Sequence, residues 1–242
     1  MPKPQRSASN ALGDPSQSLQ TFDLRDLQEY TREKAYSPNA SADFHLFYVG
    51  RDDVHDILKH VLSRVSVSLY LNMFGYDDDE LNDIIIAKAM DPNVTVLITL
   101  DQSQAGGVHE KKLLASDVAK DPSAFNTHIV TGAQMARFVI GQSATRQISH
   151  TKGFAADGRV GGEGSTNWSA SGEGTFVVTG AAGGPGYKAQ NNTQTIFTDP
   201  DTISRFQAEL IAEHMAASAH AAAPAPPGAP PAKKPAPKKR GG

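Results

Sequence analysis

Between a polar N-terminal arm and a Pro/Lys-rich C-terminal tail, residues 43–217 carry regular hydrophobic periodicity, and we take that segment as the folded domain. FHLFYV (Phe44 to Val49) reads as a short strand. After Gly50 the apolar positions Val54, Ile57, Leu58, Val61 and Val65 recur at helical spacing. Val67, Leu69, Leu71 and Met73 then alternate with polar neighbours as a strand does, and Asp77 with Glu80 has capping-box spacing before a helix carrying Leu81, Ile84, Ile85 and Ala89. Pro92 helps to end that helix. Alternation returns at Val94, Val96, Ile98 and Leu100, Gly106-Gly107 makes a turn, and residues 109–120 fit a further helix before Pro122. A late strand near Gln194–Thr198 leads to Asp199-Pro200, an N-cap followed by proline at the first helical position, and a helix with Ile203, Phe206, Leu210 and Ile211 inward. Alternating strands and helices predict an α/β domain with a mixed, largely parallel sheet flanked by helices.

Composition narrows the function classes. The 242 residues suffice for one ordinary domain, with 39% hydrophobic and 20% charged residues. No apolar run is long enough for a membrane span and the first residues lack a secretory core, so the cytoplasm is the expected compartment. The absence of cysteine excludes disulfides, thiol nucleophiles and thiolate-bound metals. Net charge is −3, but the final 22 residues hold Lys233, Lys234, Lys238, Lys239 and Arg240 with no acid, so the rest of the chain stands at −8. Seven of the fifteen prolines also lie there, and residues 218–242 read as a disordered basic tail, either an electrostatic hook for a polyanion or a solubilising terminus. The arm, residues 1–42, offers LRDLQEYTREKAY as a partly helical segment with few apolar positions.

The segment SHTKGFAADGRVGGEGSTNWS, residues 149–169, carries the candidate chemistry. Ile148, His150, Lys152 and Phe154 are two apart and share one face of a strand. Asp157-Gly158 is a turn that returns the chain, bringing Gly164-Ser165-Thr166-Asn167 to the same face. An imidazole, an ammonium, a hydroxyl and an amide are the groups wanted around a phosphodiester: a nucleophile for phosphorus, a cation for its oxygens, and donors for the developing charge. Gly161-Gly162 suggests a bulge or room for a ligand.

His150-x-Lys152, then Asp157 after four intervening residues and Gly164-Ser165-x-Asn167 after six more, resembles the HKD signature of the phospholipase D superfamily. The resemblance covers about residues 43–217 and implies a phospholipase D-like fold. It implies a phosphohistidine route without cofactor or metal: His150 as nucleophile, Lys152 and Asn167 on the non-bridging oxygens, Ser165 as auxiliary donor, and Asp157 and Gly164 supporting the motif. A second histidine must protonate the leaving oxygen; His109-x-Lys111 lacks the aspartate and the Gly-Ser-x-Asn that complete the pattern, so the full motif occurs once in the chain. Single-motif members of the family pair two chains, so the resemblance implies a homodimer with one composite site. It also implies a bell-shaped pH profile from the two coupled imidazoles. Where such proteins tend to carry a glutamate orienting the histidine, this chain reads QNNTQTIF, leaving Asn192, Glu163 or Glu173 for that role.

A nuclease acting on DNA or RNA is the first substrate expectation, with Arg137, Arg146, Arg159 and Lys188 as candidates for a basic groove. The alternatives are a phospholipase D acting on phosphatidyl headgroups, with anionic lipid as partner, and a nucleic-acid-binding relative without turnover. Other histidines look ordinary: His55 and His60 fall on a helix, and His109 and His128 lack metal-ligand spacing, so no metal site is expected. The acidic run Asp77–Glu80 suits a helix N-terminus better than a cation site. Trp168 either stacks on a ligand or packs beneath the loop. The glycine-rich stretch 172–186 reads as a loop beside the site.

Overall fold

The computed structural model describes residues 19–101, 136–141 and 149–222. The predicted helix at 109–120, along with Ile148, His109, His128, Arg146 and the basic residues of the tail, lies outside them. Seven strands form one sheet: β1 (Phe44–Tyr48), β2 (Ser68–Met73), β3 (Thr95–Asp101), β4 (Ala136–Gly141), β5 (Lys152–Ala156), β6 (Val160–Gly164) and β7 (Thr193–Phe197), in the order β1-β7-β6-β5-β2-β3-β4. The sheet is mixed and flanked by helices, as the pattern predicts, but it is not largely parallel. Among the described residues, β2–β3 and β3–β4 run parallel, against four antiparallel pairs. The physical reason lies in the connections: the tight turn at Asp157-Gly158 forces β5 and β6 antiparallel, whereas α2 provides the crossover that lets β2 and β3 run parallel.

Helices α1 (Val54–Ser63) and α2 (Asp79–Met90) cover one face, and α5 (Pro200–Ala222) covers the other. Leu69, Leu71, Phe154 and Ala156 turn toward α1 and α2 in one apolar core with Ile57, Leu58 and Val61. Strand β3, between β2 and β4, is buried on both faces, so its alternation marks no solvent side. On the α5 face, Ile203, Leu210, His214 and Ala217 recur at helical spacing and are buried. Asp199 starts this helix, its carboxylate accepting from the Thr202 amide at 2.8 Å.

Three sequence boundaries move. The arm docks: Leu24 and Leu27, on a 3-10 helix over Leu24–Tyr30, are buried in the same core, and the Tyr30 hydroxyl pairs with His60 Nδ1 at 2.9 Å. Apolar side chains too sparse to define a helix alone suffice once α1 completes their contacts. At the other end α5 runs to Ala222, past the expected end of the domain at 217. The N-cap of α2 is Asp78, one residue beyond the capping-box reading, with Oδ1 accepting from the Leu81 amide at 2.7 Å.

Gly161 and Gly162 sit in regular register opposite Ala155 and Phe154, with no bulge. A Cβ on Gly161 would fall 2.2 Å from the Phe197 ring, and one on Gly162 would fall 2.4 Å from the Phe154 ring. The room they leave is taken by the protein's own aromatic core, not by a ligand.

Candidate active site

The β5–β6 hairpin sets the site. Asp157 and Gly158 both adopt positive φ, 54° and 62°, and the Arg159 amide donates to Ala156 O at 2.9 Å, closing a type I′ turn. The Asp157 carboxylate accepts from the amides of Val67 and Ser68, each at 2.8 Å, and from the Ser66 amide and hydroxyl, each at 3.0 Å. It thereby pins the hairpin to the start of β2. Chemistry gathers at the opposite end of β5, beside the carboxyl ends of the parallel strands β2 and β3, where open α/β sheets place their ligand sites.

Lys152 begins β5 and is 3% exposed, while His150 precedes it and is exposed. The Lys152 ammonium donates to the His150 carbonyl at 2.8 Å and lies 3.3 Å from His150 Nδ1. Burial lowers the Lys152 pKa, an effect that Glu163 opposes. Phe74, directly after β2, packs its ring 4.5 Å from the His150 ring and 4.9 Å beneath the Lys152 ammonium. The next residue, Gly75, touches Asn167: a Cβ there would fall 2.9 Å from the Asn167 side-chain carbon. Two consecutive residues thus neighbour the motif, Phe74 beside His150 and Lys152 and Gly75 beside Asn167.

Around them the backbone is fixed. The Trp168 amide donates to Gly75 O at 2.9 Å, and the Trp168 carbonyl accepts from Asp77 and Asp78. Trp168 itself is 1% exposed, with its ring centroid 6.1 Å from that of Phe154 and 6.3 Å from that of Tyr76, so it packs beneath the loop. Ser165 lies exposed at the end of β6, bonded through its amide to Thr193 O and through its Oγ to the Thr193 amide, both at 3.0 Å; its hydroxyl hydrogen can serve a ligand. Gly164 is required by close approach, since a Cβ would meet Thr193 O at 2.2 Å.

Sequence reasoning missed the support beneath His150. The buried Ser149 donates its amide to Asp101 at 2.7 Å and its hydroxyl to Asn72 Oδ1 at 3.0 Å, tying the residue before His150 to the ends of β3 and β2. Polar residues ending buried strands were the available signal.

The three candidates for orienting His150 are placed elsewhere or otherwise engaged. Asn192 gives its amide to Gly172 O and Gln190 Oε1, both at 3.0 Å. Glu173 is buried and places Oε2 2.5 Å from His55 Nδ1, which makes it a partner of α1. Glu163 is paired with Gly153, one strand position from Lys152; burial raises its pKa and Lys152 opposes the rise. Among the described residues, the polar contact recorded for the His150 ring is with Lys152. His55 is likewise not an ordinary helix histidine. Burial works against its charge, but hydrogen bonds that its ring donates to Glu173 and Glu80 carry its pKa up to about 11. Of the proposed groove residues, Arg159 lies at the far end of the hairpin, hydrogen-bonded to Gln20, and Lys188 is exposed in the loop after Val178.

Neither family models nor curated proteins match this chain. Solved structures do. Nuc from Salmonella typhimurium, described as a phospholipase D family member, superposes with a TM-score of 0.51 at 13% identity, covering 72% of this chain and 95% of that one. NucT from Helicobacter pylori gives a TM-score of 0.47 at 14% identity, over 72% of this chain and 96% of its own. Phosphatidylserine synthase from Haemophilus influenzae gives 0.47 at 14%, over 75% of this chain and 38% of its own. The chain shares its fold with Nuc, a phospholipase D family member. Among the described residues no helix is long and apolar enough to cross a membrane.

Proposed function

We propose that the protein is a phosphodiester hydrolase that acts on nucleic acid through a phosphohistidine formed on His150. The observation that carries this reading is the packing of Lys152 and Phe74 against His150, with Gly75 beside Asn167, over a buried Ser149–Asp101–Asn72 support. In the free site Lys152 faces His150 Nδ1, so the neutral ring carries its hydrogen on Nε2. A bound phosphate draws the ammonium onto a non-bridging oxygen, which releases Nδ1 to hold the hydrogen and Nε2 to attack phosphorus. Asn167 and the Ser165 hydroxyl take the remaining charge. The P–O bond breaks as a second histidine, His150 of a partner copy, gives its proton to the leaving oxygen. That histidine then removes a proton from the water that hydrolyses the phosphohistidine. The functional unit is a homodimer with one composite site, and no metal takes part in the transfer.

Nucleic acid is favoured over a lipid headgroup by the placement of exposed apolar side chains. Phe44, Leu46 and Tyr48 lie on the edge strand β1, separated from β5 by β7 and β6, which puts them about 14 Å of sheet away from Lys152. Nuc shares the fold, and a basic tail suits a polyanion. The test is turnover of plasmid DNA, single-stranded DNA, RNA and phosphatidylcholine in parallel, with EDTA present and with light scattering at the assay concentration. Cleavage of nucleic acid by a dimer supports the proposal. Headgroup release moves the substrate to lipid, an active monomer removes the composite site, and tight DNA binding without turnover identifies a non-catalytic binder.

A further inference from the structure

The acidic run before α2 does more than start a helix. Asp78 uses Oδ1 to cap α2, while its Oδ2 lies 3.5 Å from His55 Nδ1. Glu173, on the short helix α3 (Ala170–Glu173), brings Oε2 to within 2.5 Å of the same nitrogen. One ligand atom from each of His55, Asp78 and Glu173 lies within 4.8 Å of the others, although the residues come from three separate elements. The Glu173 side chain is fully buried, and its second oxygen, Oε1, has no hydrogen-bond partner. Leaving a buried carboxylate oxygen unpaired is costly, so this atom marks a place where a ligand is wanted.

The other side of the imidazole matches what a metal-bound histidine requires. His55 Nε2 lies 3.0 Å from Glu80 Oε2, and Glu80 Oε1 accepts from the Lys59 ammonium at 2.9 Å. A carboxylate receiving Nε2–H fixes the tautomer that presents the Nδ1 lone pair and raises its basicity. One imidazole and two carboxylates form a mixed nitrogen and oxygen donor set, which suits Zn2+ with a fourth position for water, whereas Ca2+ and Mg2+ prefer oxygen ligands alone.

We propose that His55 Nδ1, Asp78 Oδ2 and the Glu173 carboxylate bind a divalent transition-metal ion, Zn2+ by the chemistry of the donors, as a structural clip. Binding exchanges the proton held between His55 and Glu173 for the ion. The clip joins α1, the start of α2 and α3, and so secures the segment containing Asn167 and Trp168, whose carbonyl already accepts from the amides of Asp77 and Asp78. Its role does not depend on the phosphodiesterase reading, because the ion holds structure and touches no reacting atom.

The experiment is titration of Zn2+ into the full-length chain, stripped with EDTA and dialysed at pH 7, followed by calorimetry and by the thermal midpoint. We expect one equivalent per chain, and a midpoint raised by about 5 °C at saturating Zn2+. Glu173→Gln and Asp78→Asn should each weaken binding by about 100-fold, and Glu80→Gln by about 10-fold, through the loss of support behind the imidazole. Asn retains the capping function at position 78, so this variant decides the matter if Glu173→Gln does not fold. Binding of well under one equivalent, or equal affinity in wild type and Asp78→Asn, would overturn the assignment.

Discussion

Replacing Asp157 should cost stability while leaving the chemistry of the site intact, because the acid of the motif works at the wrong end of the strand to touch a substrate. Five residue steps along the chain separate it from Lys152, a distance of about 16 Å at 3.3 Å per residue. The carboxylate accepts from three backbone amides and one hydroxyl. A hydrogen bond to a charged group contributes about 1.5–3 kcal/mol when water cannot replace it. Only the Ser68 amide is in buried surroundings, so it counts for about 1.5 kcal/mol, and the exposed bonds for about 0.5 kcal/mol each. Alanine at φ 54° adds about 1 kcal/mol, since aspartate tolerates the left-handed region better. The total for Asp157→Ala is about 4 kcal/mol. Asp157→Asn keeps one acceptor oxygen and the turn conformation, and should lose about 1–1.5 kcal/mol. Urea unfolding at fixed protein concentration measures both: with a slope near 2 kcal/mol per M, the midpoints fall by about 2 M and about 0.6 M. A loss below about 1 kcal/mol for alanine, or asparagine matching alanine, would refute the reasoning. So would a large drop in turnover by folded Asp157→Asn.

Gly75→Ala should fold normally yet lose at least about 10-fold in kcat/KM, because its methyl group would enter the space of Asn167; crystallographic displacement of Asn167 and steady-state rates would check this. Gly162→Ala forces a methyl group into the Phe154 ring in a packed core and should cost about 1–3 kcal/mol, read as a lower thermal midpoint. Burial lowers the His60 pKa to about 4, so the folded protein resists protonating a ring that the unfolded chain protonates near 6.5. The folded pKa is the depressed one; His60 therefore favours the fold fully above pH 6.5 and progressively less as pH falls toward 4. His60→Gln should flatten that part of the stability profile, and an unchanged slope would contradict it.

Much of this was legible in the sequence where local chemistry decides the structure. Asp157-Gly158 announces its turn because few residue pairs accept positive φ twice, and Asp199-Pro200 announces the start of α5. The hairpin register that follows from that turn sets the start of β5 against the end of β6, Gly153 opposite Glu163. What escaped was decided by partners distant in the chain. Strand β4 (ARFVIG) lacks the alternation that identifies a strand and, among the described residues, pairs with β3 alone. Leu24 and Leu27 needed α1 to become core residues. His55 and Glu173 are 118 positions apart, and no spacing rule connects them. Asn192 and Glu173 seemed free to orient His150 because their actual partners, Gly172 and His55, are chosen by tertiary packing.

The central claim is that His150 is the nucleophile, and the most direct measurement is the initial rate of nucleic-acid cleavage by His150→Ala against wild type. Circular dichroism should first establish that both are folded. Removing a covalent nucleophile should cut the rate by at least about 1,000-fold, with substrate binding retained. A variant that cleaves within about 10-fold of wild type would contradict the mechanism.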